Sequence, residues 1–253
     1  MKSFLTYICL IIISALSYNA EVYSYGVACK EMTTPCFQVP DHILFDALLK
    51  KYVSKEGKVY YKSLKKNEKK LDKYLSLLSA NPPSANWSKQ DSMAFWINAY
   101  NACTLKLILD HYPIKSILDL HAGKPWSVQW IKIGNKTLSL DNIEHDILRP
   151  QFKDPRVHFA VNCASNSCPP LFDGAYTGKT LERQLEGVSK KFINNHKFQT
   201  ISKTKVTLSK LFEWYSADFG NVLTFMNKYA TTKINSNALV SYAPYDWLLN
   251  EAK

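Results

Sequence analysis

The sequence predicts a single-domain α+β fold, in which several helices and a small, mainly antiparallel sheet surround one central buried helix. Three observations support this class. The 253 residues are enough for one large hydrophobic core. The apolar fraction of 46% and the charged fraction of 21% are typical of a globular chain. Helical and strand-like segments follow one another in a mixed order, without the regular alternation that a βαβ sheet requires.

The first part of the domain is predicted to be mainly helical. Asp41 is placed to cap a helix through residues 42–53, and residues 58–64 (KVYYKSL) are expected to form a strand or an extended bridge. Residues 67–80 have the apolar spacing of an amphipathic helix, which the following NPPS ends.

The central helix is predicted at residues 92–112, which are apolar around nearly the whole helical circumference. Ser88 and Asp91 form a capping pair before this helix, and Pro113 stops it. Such a helix is buried by its neighbours. Its two amide side chains, Asn98 and Asn101, must therefore be hydrogen-bonded inside the fold.

The second part of the domain mixes the two kinds of element. IGNK (133–136) predicts the turn of a hairpin, and Asp141 with Glu144 is a capping pair that opens a short helix closed by Pro150. The remaining expected elements are a buried strand at 156–161, a helix at 180–195, a strand at 205–209, helices at 210–215 and 220–230, and an aromatic tail at 240–250 that packs back onto the body.

The N-terminus has the pattern of a secretory signal peptide, with a lysine before a short apolar run and cleavage expected after residue 17 or 20. This predicts a secreted or extracytoplasmic protein whose globular domain spans residues 41–253. No later apolar run reaches spanning length, so stable membrane insertion is not expected, and a retained N-terminal anchor is the alternative. Cys29 and Cys36 are expected to form a local disulfide in that compartment.

The net charge of +11 comes almost entirely from lysine, since only Arg149, Arg156 and Arg183 are arginines. Guanidinium groups read phosphates and bases bidentately, whereas lysines mostly keep a surface solvated. We therefore expect no nucleic-acid partner. A weak contact with anionic surfaces stays open.

The segment VHFAVNCASNSCPPL (157–171) carries the chemistry that the sequence indicates. On a strand, His158 and Cys163 point to opposite faces. The polar ASNS between the cysteines is turn-forming, and it can return Cys168 towards His158. This predicts a thiol nucleophile at Cys168 with His158 as its base, and with backbone amides near Ser167 and Cys168 as oxyanion donors.

An imidazole base needs an orienting partner, and Asn101, Asn98 or Glu144 could supply it. Each also has a plain structural interpretation, as a core amide or as a helix cap. Other residues are expected to be structural: Cys103 as an inert buried thiol, His145 as a surface or packing residue, and Trp126, Trp130 and Trp247 as core aromatics by default. A secreted protein could instead present some of these indole rings to a carbohydrate or peptide.

Two further interpretations of the cysteines remain open. Cys163 and Cys168 can close a disulfide loop, which is the plain alternative in a secreted protein. Metal or redox chemistry is the third option, although CASNSC lacks the two-residue spacing typical of both. No cofactor and no metal are expected.

Four ordered motifs resemble the family of domain of unknown function 547, from about residue 41 to residue 253. They are AFWINAYNACTL, LSLDNIEHDILR, RVHFAVNCASNSCPPL and YDWLLN. The resemblance places NAYNA, IEH, LR, HFA and SCP within this sequence, and it implies that Asn, Glu, His and Cys side chains are shared by the family. Both Cys163 and Cys168 lie in the matching segment, as bridge partners or as site members.

These observations lead to two functional hypotheses. The first is a secreted thiol-dependent hydrolase or acyl transferase acting on an unknown peptide or small-molecule acyl substrate. The second is a non-catalytic extracellular binding module with a Cys163–Cys168 disulfide.

Overall fold

The computed structural model describes residues 38–253, and residues 39–253 pack as one compact unit. Helices dominate it, and two small sheets of two and three strands accompany them. The predicted α+β class is confirmed. The predicted signal peptide and the predicted Cys29–Cys36 disulfide lie outside the described residues.

Three helices form the first part: α1 (Ile43–Tyr52), α2 (Tyr61–Lys65) and α3 (Glu68–Ala80). The predicted Asp41 cap is wrong, because His42 occupies the N-cap position of α1 without a side-chain cap; the Asp41 carboxylate instead accepts a hydrogen bond from the Ile43 amide at 3.2 Å, two residues on. Of the strand or bridge expected at 58–64, only Val59 forms bridges, and the residues after it turn helical.

Helix α4 (Lys89–His111) crosses the core, and it is buried almost throughout residues 93–109. Its predicted cap is confirmed, because the Ser88 hydroxyl accepts a hydrogen bond from the Asp91 amide at 2.9 Å. The helix ends before the cis Tyr112–Pro113 peptide bond. Strands β1 (Ile131–Ile133) and β2 (Lys136–Leu138) then form the predicted antiparallel hairpin.

The short helix predicted at 141–149 is longer and wider than expected: it is a π-helix, Asn142–Phe152, with Pro150 inside it. Proline has no amide hydrogen to donate, and the wider π turn leaves room for its ring. The predicted Asp141–Glu144 cap is wrong. Instead, the Ser139 amide donates to Asn142 Oδ1 at 2.9 Å, and the Asn142 amide donates to Ser139 Oγ at 3.0 Å.

The strand predicted at 156–161 is wrong as well, because Val157–Ala160 forms the short helix α5. Its aromatic and β-branched residues are buried in the core, and burial alone explains a composition that otherwise favours a strand. Hydrogen bonds to the carbonyls of Pro155 and Arg156 close the turn. The predicted division of His158 and Cys163 between two strand faces therefore does not apply.

Phenylalanine side chains from several elements build the core of the remaining part. Strand β4 (Lys205–Leu208) pairs antiparallel with β3 (Thr200–Ile201) and parallel with β5 (Leu239–Tyr242), so this sheet is not purely antiparallel. The elements are α6 (Leu181–Ile193), β3 (Thr200–Ile201), β4 (Lys205–Leu208), α7 (Leu211–Trp214), α8 (Ser216–Phe219), α9 (Val222–Met226) and β5 (Leu239–Tyr242).

The aromatic tail folds back onto the body, as predicted. The Asn166 amide donates to the Leu248 carbonyl, and the Leu249 amide donates to the Lys115 carbonyl, each at 2.8 Å. These contacts bring the tail against the cysteine segment. No helix among residues 38–253 is both long enough and apolar enough to span a membrane.

Candidate functional site

A cavity of about 290 Å³ opens where the π-helix, α5, the cysteine segment, α7 and the tail meet. Four of the five predicted site residues border it: Glu144, His158, Cys163 and Cys168. The other lining residues are Tyr100, Trp126, Asp141, His145, Val161, Leu211, Trp214, Tyr215, Tyr245 and Trp247.

The predicted Cys163–Cys168 disulfide is absent, because both thiols are free. The turn at 164–167 does reverse the chain, with Ala164 in the left-handed region at φ 61°. It returns the Cys168 sulfur to the backbone amide of Cys163, which donates to it at 3.0 Å. The predicted contact between Cys168 and His158 is not formed as a hydrogen bond, because Nε2 of His158 bonds to Asp218 and Nδ1 has no partner. Cys168 is buried, whereas Cys163 is half-buried at the cavity.

The Cys163 sulfur lies among hydrogen-bond donors. Its Sγ is 3.2 Å from Ser165 Oγ and 3.2 Å from Tyr245 Oη, and these two hydroxyls are 2.9 Å apart. Several hydrogen bonds lower the pKa of Cys163. The largest effect comes from the Cys168 thiol, and smaller effects come from Ser165 and Tyr245. Burial raises the pKa of Cys168. The thiolate therefore forms at Cys163, whereas the sequence had favoured Cys168.

His158 is buried, with 1% of its surface exposed, and Asp218 orients it. Its Nε2 lies 2.7 Å from Asp218 Oδ2, and the Arg149 guanidinium holds the same carboxylate at 2.6 and 3.0 Å. The hydrogen bond from Arg149 lowers the pKa of Asp218. Sequence reasoning missed Asp218, because SADFG has no motif and lies 60 residues from His158.

The other ring nitrogen of His158 has no partner. Its Nδ1 is buried without a hydrogen bond and lies 3.8 Å from Glu144 Oε1. Since Asp218 takes the hydrogen of Nε2, Nδ1 carries the lone pair in the neutral ring. Burial lowers the pKa of His158 and so favours this neutral form. The Tyr215 ring stacks on the imidazole, with 3.9 Å between ring centroids.

Asn101 supports the site without bordering the cavity. Its amide donates to the Ala160 carbonyl at 2.9 Å and accepts from the Asn162 amide at 2.8 Å. It thus fixes the backbone between His158 and Cys163, and it does not contact the imidazole as one prediction proposed. Asn98 has the equivalent pair of bonds to the backbone of Tyr176.

The predicted oxyanion donors are already engaged. The Ser167 amide donates to the Asp246 carbonyl at 3.2 Å, and the Cys168 amide donates to the Ser165 carbonyl at 3.3 Å. Neither is free to bind a developing oxyanion. The hydroxyls of Ser165 and Tyr245 lie 3.2 Å from the Cys163 sulfur.

Three indole rings form one side of the cavity, and we call Trp126, Trp214 and Trp247 the indole wall. The Trp247 centroid is 5.6 Å from that of Trp126 and 5.8 Å from that of Trp214. Trp214 is 46% exposed. The rings therefore present apolar faces to a ligand, whereas Trp126 and Trp247 were predicted to be core residues. Trp130 lies elsewhere.

Among residues 38–253, no group of three or more His, Cys, Asp or Glu side chains is arranged to hold a metal ion. The sequence model of the family described as "Protein of unknown function, DUF547" matches residues 84–193. This range contains NAYNA, IEH, LR, HFA and SCP, and it is narrower than the resemblance stated from residue 41 onward. No curated protein and no solved structure matches the chain.

Proposed function

We propose that this chain, which belongs to the DUF547 family through residues 84–193, is a thiol-dependent hydrolase or acyl transferase with Cys163 as its nucleophile. One observation carries the proposal. The half-buried Cys163 sulfur, supported by two hydroxyls at 3.2 Å, shares a cavity with a carboxylate-oriented histidine that has a free ring nitrogen. A thiolate nucleophile and a positioned imidazole are the two parts that acyl transfer needs.

The first step is the acylation of Cys163. Its proton passes through one water molecule to His158 Nδ1, which has no direct hydrogen bond to the sulfur, and the thiolate attacks the substrate carbonyl. The C–S bond forms, the bond to the leaving group breaks, and the leaving group takes the proton from His158. While the imidazole is charged, the carboxylates of Asp218 and Glu144 stabilise it from two sides.

The hydroxyls near the sulfur serve both states. While Cys163 is a thiolate, the Tyr245 hydroxyl donates to the negative sulfur, and the Ser165 hydroxyl donates in turn to Tyr245 Oη at 2.9 Å. Once the sulfur is bonded to carbon, its charge has moved to the carbonyl oxygen. A hydroxyl released from the sulfur can then donate to that oxyanion.

The second step resolves the thioester. A water molecule or another nucleophile gives its proton to His158 Nδ1 and attacks the carbonyl, so that the C–S bond breaks and the thiolate returns. The reaction is hydrolysis if water is the acceptor, and it is acyl transfer if another nucleophile is the acceptor. The binding-module hypothesis loses its disulfide, since both thiols are free.

An acyl-enzyme experiment tests the proposal. The purified chain is mixed with p-nitrophenyl acetate, and intact-mass spectrometry followed by peptide mapping locates the acetyl group. We expect one acetyl group on Cys163, and His158→Ala should slow its formation ~10²-fold. Cys103→Ala is the matched control, because that thiol is buried outside the cavity.

Three results would overturn the proposal: no acetylation of the folded chain, acetylation confined to lysines, or acetylation that persists in Cys163→Ser.

Secretion remains a prediction from residues 1–20. We propose a peptide or small-molecule acyl compound as the substrate, and at most weak contact with anionic surfaces.

A further inference from the structure

We infer that the acyl acceptor at this cavity is a primary amine, held as an ammonium group by the carboxylates of Asp141 and Glu144 beside the indole wall. The inference rests on the proposed acyl-cysteine at Cys163. Three independent features of the cavity support it: its charge, its unpartnered acceptor atom and its aromatic surface.

The charge of the cavity is opposite to that of the chain. The whole sequence carries +11, yet none of the described residues lining the cavity is a lysine or an arginine. Asp141 and Glu144 both line it. The nearby Arg149 pairs with Asp218 outside the lining, so its charge is already compensated. A cation repelled by the outer surface is therefore accepted here.

His145 lies beside Asp141 in the lining. Its Nδ1 accepts a hydrogen bond from the Arg149 guanidinium at 2.8 Å, because a guanidinium can only donate. Its Nε2 lies 3.8 Å from Asp141 Oδ1, beyond hydrogen-bond distance. Neither carboxylate is therefore paired with a lysine or an arginine within the lining, and the basic side chains there are the imidazoles of His145 and His158.

The unpartnered atom requires a donor. Nδ1 of His158 and Oε1 of Glu144 are two acceptors 3.8 Å apart, and Nδ1 has no hydrogen bond. A buried acceptor without a partner costs ~1–3 kcal/mol. An ammonium group carries three N–H donors and can serve both atoms at once, which a quaternary ammonium group cannot.

The indole wall suits the rest of such a ligand. Indole faces attract cations and also cover an alkyl chain. Trp214 is 46% exposed, so the wall is reached from solvent without moving the core. An alkylamine can therefore lie along the rings with its nitrogen at the carboxylates.

The transfer step balances with these groups. The ammonium passes one proton to His158 Nδ1 and attacks the thioester as a neutral amine. The C–N bond forms and the C–S bond breaks, and the second proton goes to the departing Cys163 sulfur. The products are an amide, a thiol and an imidazolium flanked by Glu144 and Asp218.

Binding of a diamine tests the inference without any acyl donor. Isothermal titration calorimetry on the full Cys163→Ser chain compares cadaverine with pentanediol, its neutral counterpart, and with glutarate, its anionic counterpart. We expect saturable binding of cadaverine at least about tenfold tighter than that of pentanediol, and none of glutarate. Asp141→Asn should weaken cadaverine about tenfold.

Asp146→Asn is the matched control, because it removes a carboxylate from the same π-helix outside the cavity. Equal binding of cadaverine and pentanediol, no binding of either, or equal losses in the two Asp variants would overturn the inference. Acetylation of Cys163 is measured separately. A failure to bind cadaverine would therefore leave the proposed function intact, and a failure to acetylate Cys163 would leave the binding of the amine intact.

Discussion

The 2.7 Å hydrogen bond between His158 Nε2 and Asp218 Oδ2 fixes which ring nitrogen of the histidine is free. The bond takes the Nε2 hydrogen, so the lone pair is left on Nδ1, beside Glu144. The two residues are 60 positions apart, and only the packing of α8 against α5 joins them. Arg149 holds the carboxylate in place.

We predict that Asp218→Asn slows acetylation of Cys163 ~10²-fold. An amide can donate to Nε2 and so shift the ring hydrogen to Nδ1, which removes the free lone pair. The ¹⁵N chemical shifts of His158 report this tautomer directly. Asp154→Asn is the control, because that carboxylate pairs with Arg156 outside the cavity. An unchanged tautomer together with an unchanged rate would refute the assignment.

Cys168→Ala should raise the pKa of Cys163, because it removes the largest of the contacts that lower it. Only the thiolate reacts with iodoacetamide, so the labelling rate rises with pH and levels off above the pKa of Cys163. The midpoint of this curve should move to higher pH in the variant. A midpoint that stays in place would show that the second thiol does not tune the first.

Asn101→Ala and Asn98→Ala should lower the free energy of unfolding by similar amounts, of order 2–4 kcal/mol. Each removes an amide that bonds two buried backbone groups, and an unsatisfied buried group costs ~1–3 kcal/mol. Urea unfolding measures this loss. In the absence of urea, only Asn101→Ala should also slow the labelling of Cys163 by iodoacetamide, because Asn98 supports a different segment. Equal effects on labelling would argue against a positioning role.

Acid should destabilise the chain through His42. Burial lowers the pKa of His42 from 6.5 to about 4 in the folded state. The unfolded chain therefore binds more protons between these values, and stability is lost as the pH falls through this window. The loss amounts to about 3 kcal/mol at most. Urea unfolding between pH 7 and pH 4 should show a smaller loss for His42→Phe than for the wild type.

His196→Gln is the control for this pH dependence, since His196 is exposed. Both buried histidines, His42 and His158, have a lowered pKa, so the substitution of one reduces the slope and does not abolish it. If His42→Phe and the wild type lose stability in parallel, the titration of His42 does not contribute.

Amphipathic and capped elements could be predicted from the sequence, because their signals are local. Ser88 with Asp91 marks the start of α4, and the IGNK turn marks the hairpin. Residues 157–160 could not be assigned in this way. A short fully buried segment is rich in aromatic and β-branched residues whether it is a helix or a strand, and periodicity does not separate the two.

The residues of the candidate site also fall into those that have a local sequence signal and those that do not. Glu144, His158 and the two cysteines stand out because their types are chemically informative within one short stretch. Asp218, Tyr245 and the indole wall do not, since a single carboxylate or aromatic side chain that belongs to no recognisable motif is common in any sequence. The choice between the thiols also depended on contacts, because the Ser165 and Tyr245 hydroxyls lie 3.2 Å from the Cys163 sulfur, whereas burial dominates at Cys168.

The hydroxyl of Tyr245, which supports the Cys163 sulfur, is supplied 82 residues further along the chain. During translation, Cys163 leaves the ribosome well before this partner exists, and Asp218 also follows it. The nascent polypeptide therefore carries this thiol without the Tyr245 hydroxyl until the tail is made. A fragment cut at residues 84–193 would contain NAYNA, IEH, LR, HFA and SCP and still lack Tyr245, which supports the sulfur, and Asp218, which orients the imidazole.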